Sequence, residues 1–485
     1  MAISSSKSIT EHTHGMFAMS KRAFWSWLVA ILTIGLALRL WLGFGVFHNQ
    51  GFAWDIDSFG NWMDNIGENG LSPYGPDPGF NYPPLFADLL VGIKWLASLV
   101  HTHPINLIKL LGIVPDIALG LVVALAGRRW LTAKQGLIAS ALFLTIPVIW
   151  YDSSVWGQVD TLSMLPMLLA VWMIIDRKPE WAFILFTLAV LTKPQGALIL
   201  FILIPVFAGQ LWAKELPIKR ALTSAAAAFL TFLVIALPWD LESYAPRELA
   251  GIPVVGDIFG LAGQYVYNAN YFHVLTANAY NIWVLGGRIP LAHIIPDDDA
   301  IWISDSYKVL GVPAQFIGTG LFLIVALTVS VVLFKRREPM QVLTGLAVLL
   351  VAFFVLPTRV HERYLVQAFA VLVIIWVPKL WQRIFLVVLA FANTINLHAI
   401  LAKDLDVQNM SVSERDPGYA TGIQDAIPFH GKGPEEFALS WVRLPADFAR
   451  QEWVIWLVVA IHIAALVIVF RDFLRRSEIT LRINR

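Results

Sequence analysis

Residues 21–47 read KRAFWSWLVAILTIGLALRLWLGFGVF, a basic pair followed by an apolar run from Ala23 to Phe47. The run is longer than the hydrophobic region of a secretory signal, and no small-residue cleavage pattern follows it. It therefore reads as a spanning helix anchored by Lys21 and Arg22 rather than as a cleavable leader. Residues 1–22 are then a cytoplasmic tail. Working outward, apolar runs recur near 105–127, 136–151, 161–176, 180–192, 196–213, 220–238, 313–334, 340–357, 364–378, 384–400 and 452–470. Of the 485 residues, 58% are hydrophobic and 14% charged, with 20 Trp; a soluble domain carries about 25% charge. Disordered, fibrous and ordinary soluble classes are excluded. The 35 basic residues barely exceed the 34 acidic ones, which leaves no excess for binding nucleic acid. The absence of cysteine removes disulfides, thiol nucleophiles and thiolate metal sites.

Basic clusters alternate with the runs: Arg128-Arg129-Lys134, Arg177-Lys178, Lys214-Lys219-Arg220, Lys335-Arg336-Arg337, Lys379-Arg383 and Arg471-Arg475-Arg476. If all face the cytoplasm, the parity closes at twelve spans with both termini inside, provided that the stretch 84–100 does not cross. That stretch is near the short limit for a span, and it carries Asp88 and Lys94. Phe86, Leu89, Leu90, Ile93 and Ala97 follow the spacing of a helix lying in the interface, as do Phe59, Trp62, Met63 and Ile66 just before. The expected architecture is an all-α polytopic membrane protein of about 11–13 transmembrane helices. The membrane domain covers 23–471, with interfacial helices in an outer loop over 48–104, long outer segments at 239–312 and 401–451, and a cytoplasmic tail at 472–485.

The polar chemistry gathers on the outer side. In WDIDSFGNWMDNIGENGLSPYGPDPGFNYPP (54–84), Asp57 or Ser58 suits a helix N-cap. Asp55 is not needed for that and is free to act as a general base beside Trp54 and Trp62; a bare D-x-D also suits a metal. Lys193 in TKPQG either snorkels at a helix end broken by Pro194 or meets an anion. Arg359, His361, Glu362 and Arg363 form either a solvated turn with a local ion pair or a phosphate-binding corner. In YDSSVWGQVD, Asp160 with Thr161 suits a cap, Asp152 and Gln158 supply further polar groups, and Trp156 is an interface anchor or a sugar platform. In TANAYNIW, Asn278 and Asn281 either turn the chain or hydrogen-bond a sugar. Walker, GxSxG and dinucleotide-binding motifs are absent. Acids, cations, amides and tryptophans on one face of an apolar bundle suit an anionic, lipid-linked substrate.

The motifs also resemble a family. WDIDSFGNWMDNI followed by NYPPLF is similar to the first luminal loop of lipid-linked-sugar glycosyltransferases of GT-C fold. These include the dolichyl-phosphate-glucose glucosyltransferases of N-glycan assembly and proteins like the second GPI-anchor mannosyltransferase. WGQVDTLSMLPMLLAV, LTKPQGALIL, NAYNIW and HERYLVQAF resemble segments of the prokaryotic mannosyltransferase-like proteins in the same order, so the likeness runs from about residue 20 to 400. Arg363 stands where the glucosyltransferases carry Lys, which suits the mannosyltransferase-like branch. The resemblance implies inverting transfer of a hexose, mannose above others, from a polyprenyl-phosphate donor. Asp55 would be the base, with Lys193, His361 and Arg363 on the donor phosphate. Asp57, Trp62, Tyr82, Asp152, Trp156, Gln158, Asp160, Gln195, Asn278, Asn281 and Glu362 would support the substrates. No obligatory metal or other cofactor is expected, although Asp55-Ile56-Asp57 keeps a divalent ion arguable. The expected partners are the donor, a lipid-linked or polypeptide acceptor and membrane lipids, in a bacterial or archaeal plasma membrane with the site on the non-cytoplasmic side. The alternatives are a GT-C enzyme acting on protein, by C-mannosylation or oligosaccharyl transfer, and a lipid or sugar transporter. A transporter more often shows internal repeats and ionisable groups at the bilayer midplane.

Overall fold

A computed structural model describes residues 19–48, 51–74, 80–270, 272–284, 304–408, 448–449 and 451–483. Most of the N-terminal tail, residues 285–303 of the 239–312 segment and residues 409–447 of the 401–451 segment lie outside the described residues.

The first run folds as α1 (Lys21–Trp41), started by Ser20, whose hydroxyl accepts from the Ala23 amide. Its last turn widens into a π-helical turn at Leu42–Val46. Every apolar run of the sequence becomes helix. Among the described residues, seven helices are long and apolar enough to cross a bilayer: Lys21–Val46, Pro104–Trp130, Pro194–Trp212, Lys219–Ala236, Ala314–Lys335, Leu380–Leu401 and Glu452–Ser477. An eighth is a pair, Ala133–Thr145 and Pro147–Trp156, bent by 50° where Pro147 interrupts the hydrogen-bond ladder. The remaining four runs form shorter apolar helices at Asp160–Ile175, Pro179–Thr192, Pro339–Val355 and Val366–Trp376.

Burial explains the short ones. Val366–Trp376 is buried along its whole length and Pro339–Val355 along nearly all of it, so they form the centre of the bundle. Lys21–Trp41, Lys219–Ala236 and Ala314–Lys335 instead leave Trp27, Ile34, Leu222, Val234, Ile324 and Val331 exposed, as lipid-facing surfaces do. Lipid provides no hydrophobic drive between helices, so close packing must hold them together. Gly127 and Gly136 serve that purpose: a Cβ at Gly127 would lie 2.5 Å from the Gly136 Cα.

Several helices carry a basic cluster at one end and candidate residues, or the loops that hold them, at the other. Pro104–Trp130 begins beside Lys109 and ends at Arg128-Arg129. Asp160–Ile175 begins at Asp160 and ends before Arg177, and Pro179–Thr192 returns to Lys193. At the basic end, Glu215 ties three loops together through Arg177 at 2.8 Å and Arg337 at 2.7 Å.

The loop after α1 contains α2 (Ala53–Asn69) and α3 (Pro84–Leu99). Neither is among the helices long and apolar enough to span. They bury Phe59, Trp62, Met63, Ile66, Phe86, Leu90 and Ile93 in one apolar cluster shared with neighbouring helices, and Ala97 is buried too, whereas Leu89 is partly exposed. The charges within 84–100 have partners there: Lys94 donates to the Met63 carbonyl at 2.7 Å, and Asp88 accepts from the Trp239 indole at 3.1 Å. An element without a counterpart in the sequence reading follows in the 239–312 segment, α4 (Val255–Ala269). Beyond it, a two-stranded antiparallel hairpin pairs Lys308–Val309 with Val312–Pro313.

Candidate functional site

Helix α2 starts at Ala53 after Phe52, so neither Asp57 nor Ser58 is its N-cap and Asp55 sits in the first turn. What fixes that turn is the segment 151–157. Phe52 donates its amide to the Trp156 carbonyl at 2.9 Å and stacks on the Trp156 ring at 4.5 Å. The Trp156 indole N–H in turn donates to Asp55 Oδ2 at 2.7 Å. Trp156 is fully buried, which makes it neither an interface anchor nor an open sugar platform. Residues 151–156 form a second π-helical turn, closed by Gly157 in the left-handed region (φ +89°). Lys109 fastens the two π-helical turns together, donating to the carbonyls of Phe47 and Ser154 at 2.8 Å each.

The other oxygen of Asp55 lies 3.7 Å from the Arg363 guanidinium. Arg363 also binds Glu362 at 2.8 Å and faces Asp160 at 3.8 Å. Asp160 accepts from Lys193 at 2.9 Å, and Gln158 Oε1 accepts from Lys193 at 3.3 Å and from the Tyr82 hydroxyl at 3.4 Å. Lys193 further stands over the Tyr82 ring, 5.3 Å from its centroid. Asp55, Tyr82, Trp156, Gln158, Asp160, Lys193, Glu362 and Arg363 thus form one continuous polar network, drawn from four separate stretches of sequence. His361 borders it, 3.8 Å from Glu362, with Phe272 and Tyr364 packed around its ring. Burial alone would raise the Glu362 carboxyl, but the adjacent His361 and the Arg363 charge hold it below the usual range.

Several sequence readings change. Asp160 does not cap its helix; the cap position is Val159, and the carboxylate pairs with Lys193 instead. Lys193 is 2% exposed, so it neither snorkels nor stands free for an anion. Trp62 is core, packed on Phe80 and Tyr82 at 4.8 and 5.1 Å, and it steadies Tyr82. Asn281 holds the carbonyls of Phe354 and Pro357 and so shapes the turn. Asn278 is left-handed (φ +71°); its carbonyl accepts from Asn396, and its backbone bridges to His361. Arg359 is spent on structure, bonded to Asp305, His273 and Gln315. Asp57 lies apart from the network, half-buried, and burial pushes its carboxyl up to about 7. Asp152 is fully buried, and neither of its carboxylate oxygens finds a hydrogen-bond partner among the described residues. The buried Oε1 of Gln195 also lacks one.

The sequence reading missed Lys109, Asn393, Asn396 and the buried pair of Arg39 with Asp116 at 2.7 Å, joined by Ser153. A signal existed for the pair: an arginine and an aspartate inside two apolar runs require each other. Among the described residues, no group of three His, Asp or Glu side chains is placed to hold a metal ion.

Neither a protein-family model nor a curated protein matches the sequence. Among solved structures, the chain is similar to the archaeal oligosaccharyltransferase AglB from Archaeoglobus fulgidus in complex with an inhibitory peptide and a dolichol-phosphate. The identity is 14% over 89% of this chain and 56% of that one, with a TM-score of 0.40. It is also similar to the Archaeoglobus fulgidus oligosaccharyltransferase tethered to an acceptor peptide with the NVT sequon, at 16% identity over 91% and 55% of the two chains and a TM-score of 0.40. The chain spans a little over half the length of each. Likeness of this degree carries no argument about activity, which rests on the residues of the site.

Proposed function

We propose that the chain is an inverting glycosyltransferase of GT-C type, moving a hexose, mannose above others, from a polyprenyl-phosphate donor to a lipid-linked or other acceptor. The observation that carries this reading is the placement of Asp55. One oxygen is fixed by Trp156, while the other faces a guanidinium at the mouth of a buried ionic network. The acceptor hydroxyl oxygen would attack the anomeric carbon as its proton passes to Asp55. The bond from that carbon to the phosphate oxygen breaks, and its electron pair leaves with the phosphate. A positioned base of this kind contributes about 10²–10⁴-fold. The developing phosphate charge falls to Arg363 and His361, which are partly open at 10% and 13% exposure. Lys193 would act at one remove, holding Asp160 beneath Arg363. The basic helix ends lie opposite the site, so the positive-inside rule supports a non-cytoplasmic site.

The test uses purified protein with radiolabelled polyprenyl-phosphate hexoses and lipid-linked acceptors, with a lipid-linked oligosaccharide and acceptor peptide as a second arm. Mannose transfer is expected in the first arm, and Asp55→Asn should reduce it by at least about 100-fold. Turnover at wild-type rate by that variant would remove Asp55 from the role, and product in the second arm alone would replace hexose transfer by oligosaccharyl transfer.

A further inference from the structure

Helix α4 is built inside out. The side turned to the protein consists of Gly256, Asp257, Gly260 and Gln264, all buried. The side turned outward consists of Ile258, Phe259, Ala262, Val266 and Ala269, every one apolar and exposed. Phe259 is 45% and Val266 61% exposed. Steps of three and four residues place them on one stripe. An amphipathic helix on a watery surface shows the opposite arrangement.

The inward side explains itself. A Cβ at Gly260 or Gly263 would collide with the carbonyls of Leu241 and Tyr244, so only small residues allow that approach. Gln264 donates to the Tyr82 carbonyl at 3.0 Å and Asn268 to that of Asn81, which suspends the Asn81–Tyr82 strap from α4. Among the described residues, nothing covers the outward side. The helix sits beside a spanning one: Leu261 of α4 packs on the same apolar cluster as Phe232 and Ile235 of Lys219–Ala236, whose Leu230 and Val234 are exposed.

We infer that the apolar stripe of α4 lies in the membrane interface, with lipid hydrocarbon covering Phe259 and Val266. The strap bearing Tyr82 is thereby held from an element bedded in the bilayer. The helix runs in the interfacial plane rather than across it, its polar side on the protein and its apolar side toward the acyl chains.

Spin labelling tests this without any turnover, so its result is separate from that of the proposed transfer. The chain has no native cysteine, so Phe259→Cys, Val266→Cys and the water-exposed control Glu248→Cys can each carry a nitroxide in phosphatidylcholine nanodiscs. Collisions with oxygen are expected to exceed those with a water-soluble nickel chelate at 259 and 266, with the ratio inverted at 248. Chelate access at 259 and 266 would overturn the inference. Protection from both reagents would overturn it too, indicating a second copy if dipolar broadening accompanies it and another segment of this chain if not.

Discussion

At the residue scale, the distinctive contact is between Trp156 and Asp55. A carboxylate on the first turn of an interfacial helix has rotational freedom, and the buried indole N–H removes it. A hydrogen bond to a charged group is worth about 1.5–3 kcal/mol, so Trp156→Phe, which keeps the stacking on Phe52, should lower kcat by about 10- to 100-fold. Donor KM should stay close to wild type. A fall in donor affinity with kcat intact would instead place the ring on the substrate. Asp57 offers a test by pH. Its carboxyl is pushed from 3.8 up to about 7 by burial, so the folded protein holds that proton more tightly than the unfolded chain does. Ionisation therefore costs stability: nothing below about pH 4, increasingly above it, and in full beyond about pH 7. Asp57→Asn should raise the thermal midpoint at pH 8 and leave it unchanged at pH 4. Equal midpoints at pH 8 would show that the carboxylate is already solvated.

At the element scale, the polar groups inside apolar helices decide which helices stand together. Arg39 and Asp116 are both fully buried, one on α1 and one on Pro104–Trp130, and Arg39 also donates to the Leu144 carbonyl of the bent pair. Three elements are joined by one guanidinium. Removing one partner strands a charge away from water, at a cost of about 3–5 kcal/mol, whereas replacing both by apolar residues of similar volume is often neutral. Arg39→Met should therefore sharply lower the midpoint of thermal unfolding in detergent, and Arg39→Met with Asp116→Leu should recover most of it. A double variant no better than the single one would show that the contacts to Leu144 and Ser153 matter more than the charge balance.

At the scale of the whole molecule, the alternation of basic ends and site ends makes the topology testable. Asn61 is exposed on α2 and Lys214 is exposed at the basic end. In intact cells, Asn61→Cys should react with an impermeant maleimide, and Lys214→Cys only after permeabilisation. The reverse pattern would turn the site to the cytoplasm and remove the proposed sidedness.

What the sequence determined by itself was local. All twelve apolar runs became helices, most of them within a few residues of the expected limits, although four are shorter than a span. The stretch 84–100 is not among the helices long and apolar enough to cross; length, hydropathy and charge placement act within each segment. Asp55, Lys193 and Arg363 were legible as unusual for the same reason, since a charge beside an apolar run is conspicuous whatever the fold. Tertiary structure alone decided what each charge faces. Lys193 met Asp160, Arg359 met Asp305, and Trp156 turned its N–H onto a residue 101 positions away. It also turned the apolar side of Val255–Ala269 outward, although the same amphipathic pattern would ordinarily face a core. Periodicity fixes that a helix has two unlike sides, but only packing and the surrounding solvent fix which one is buried.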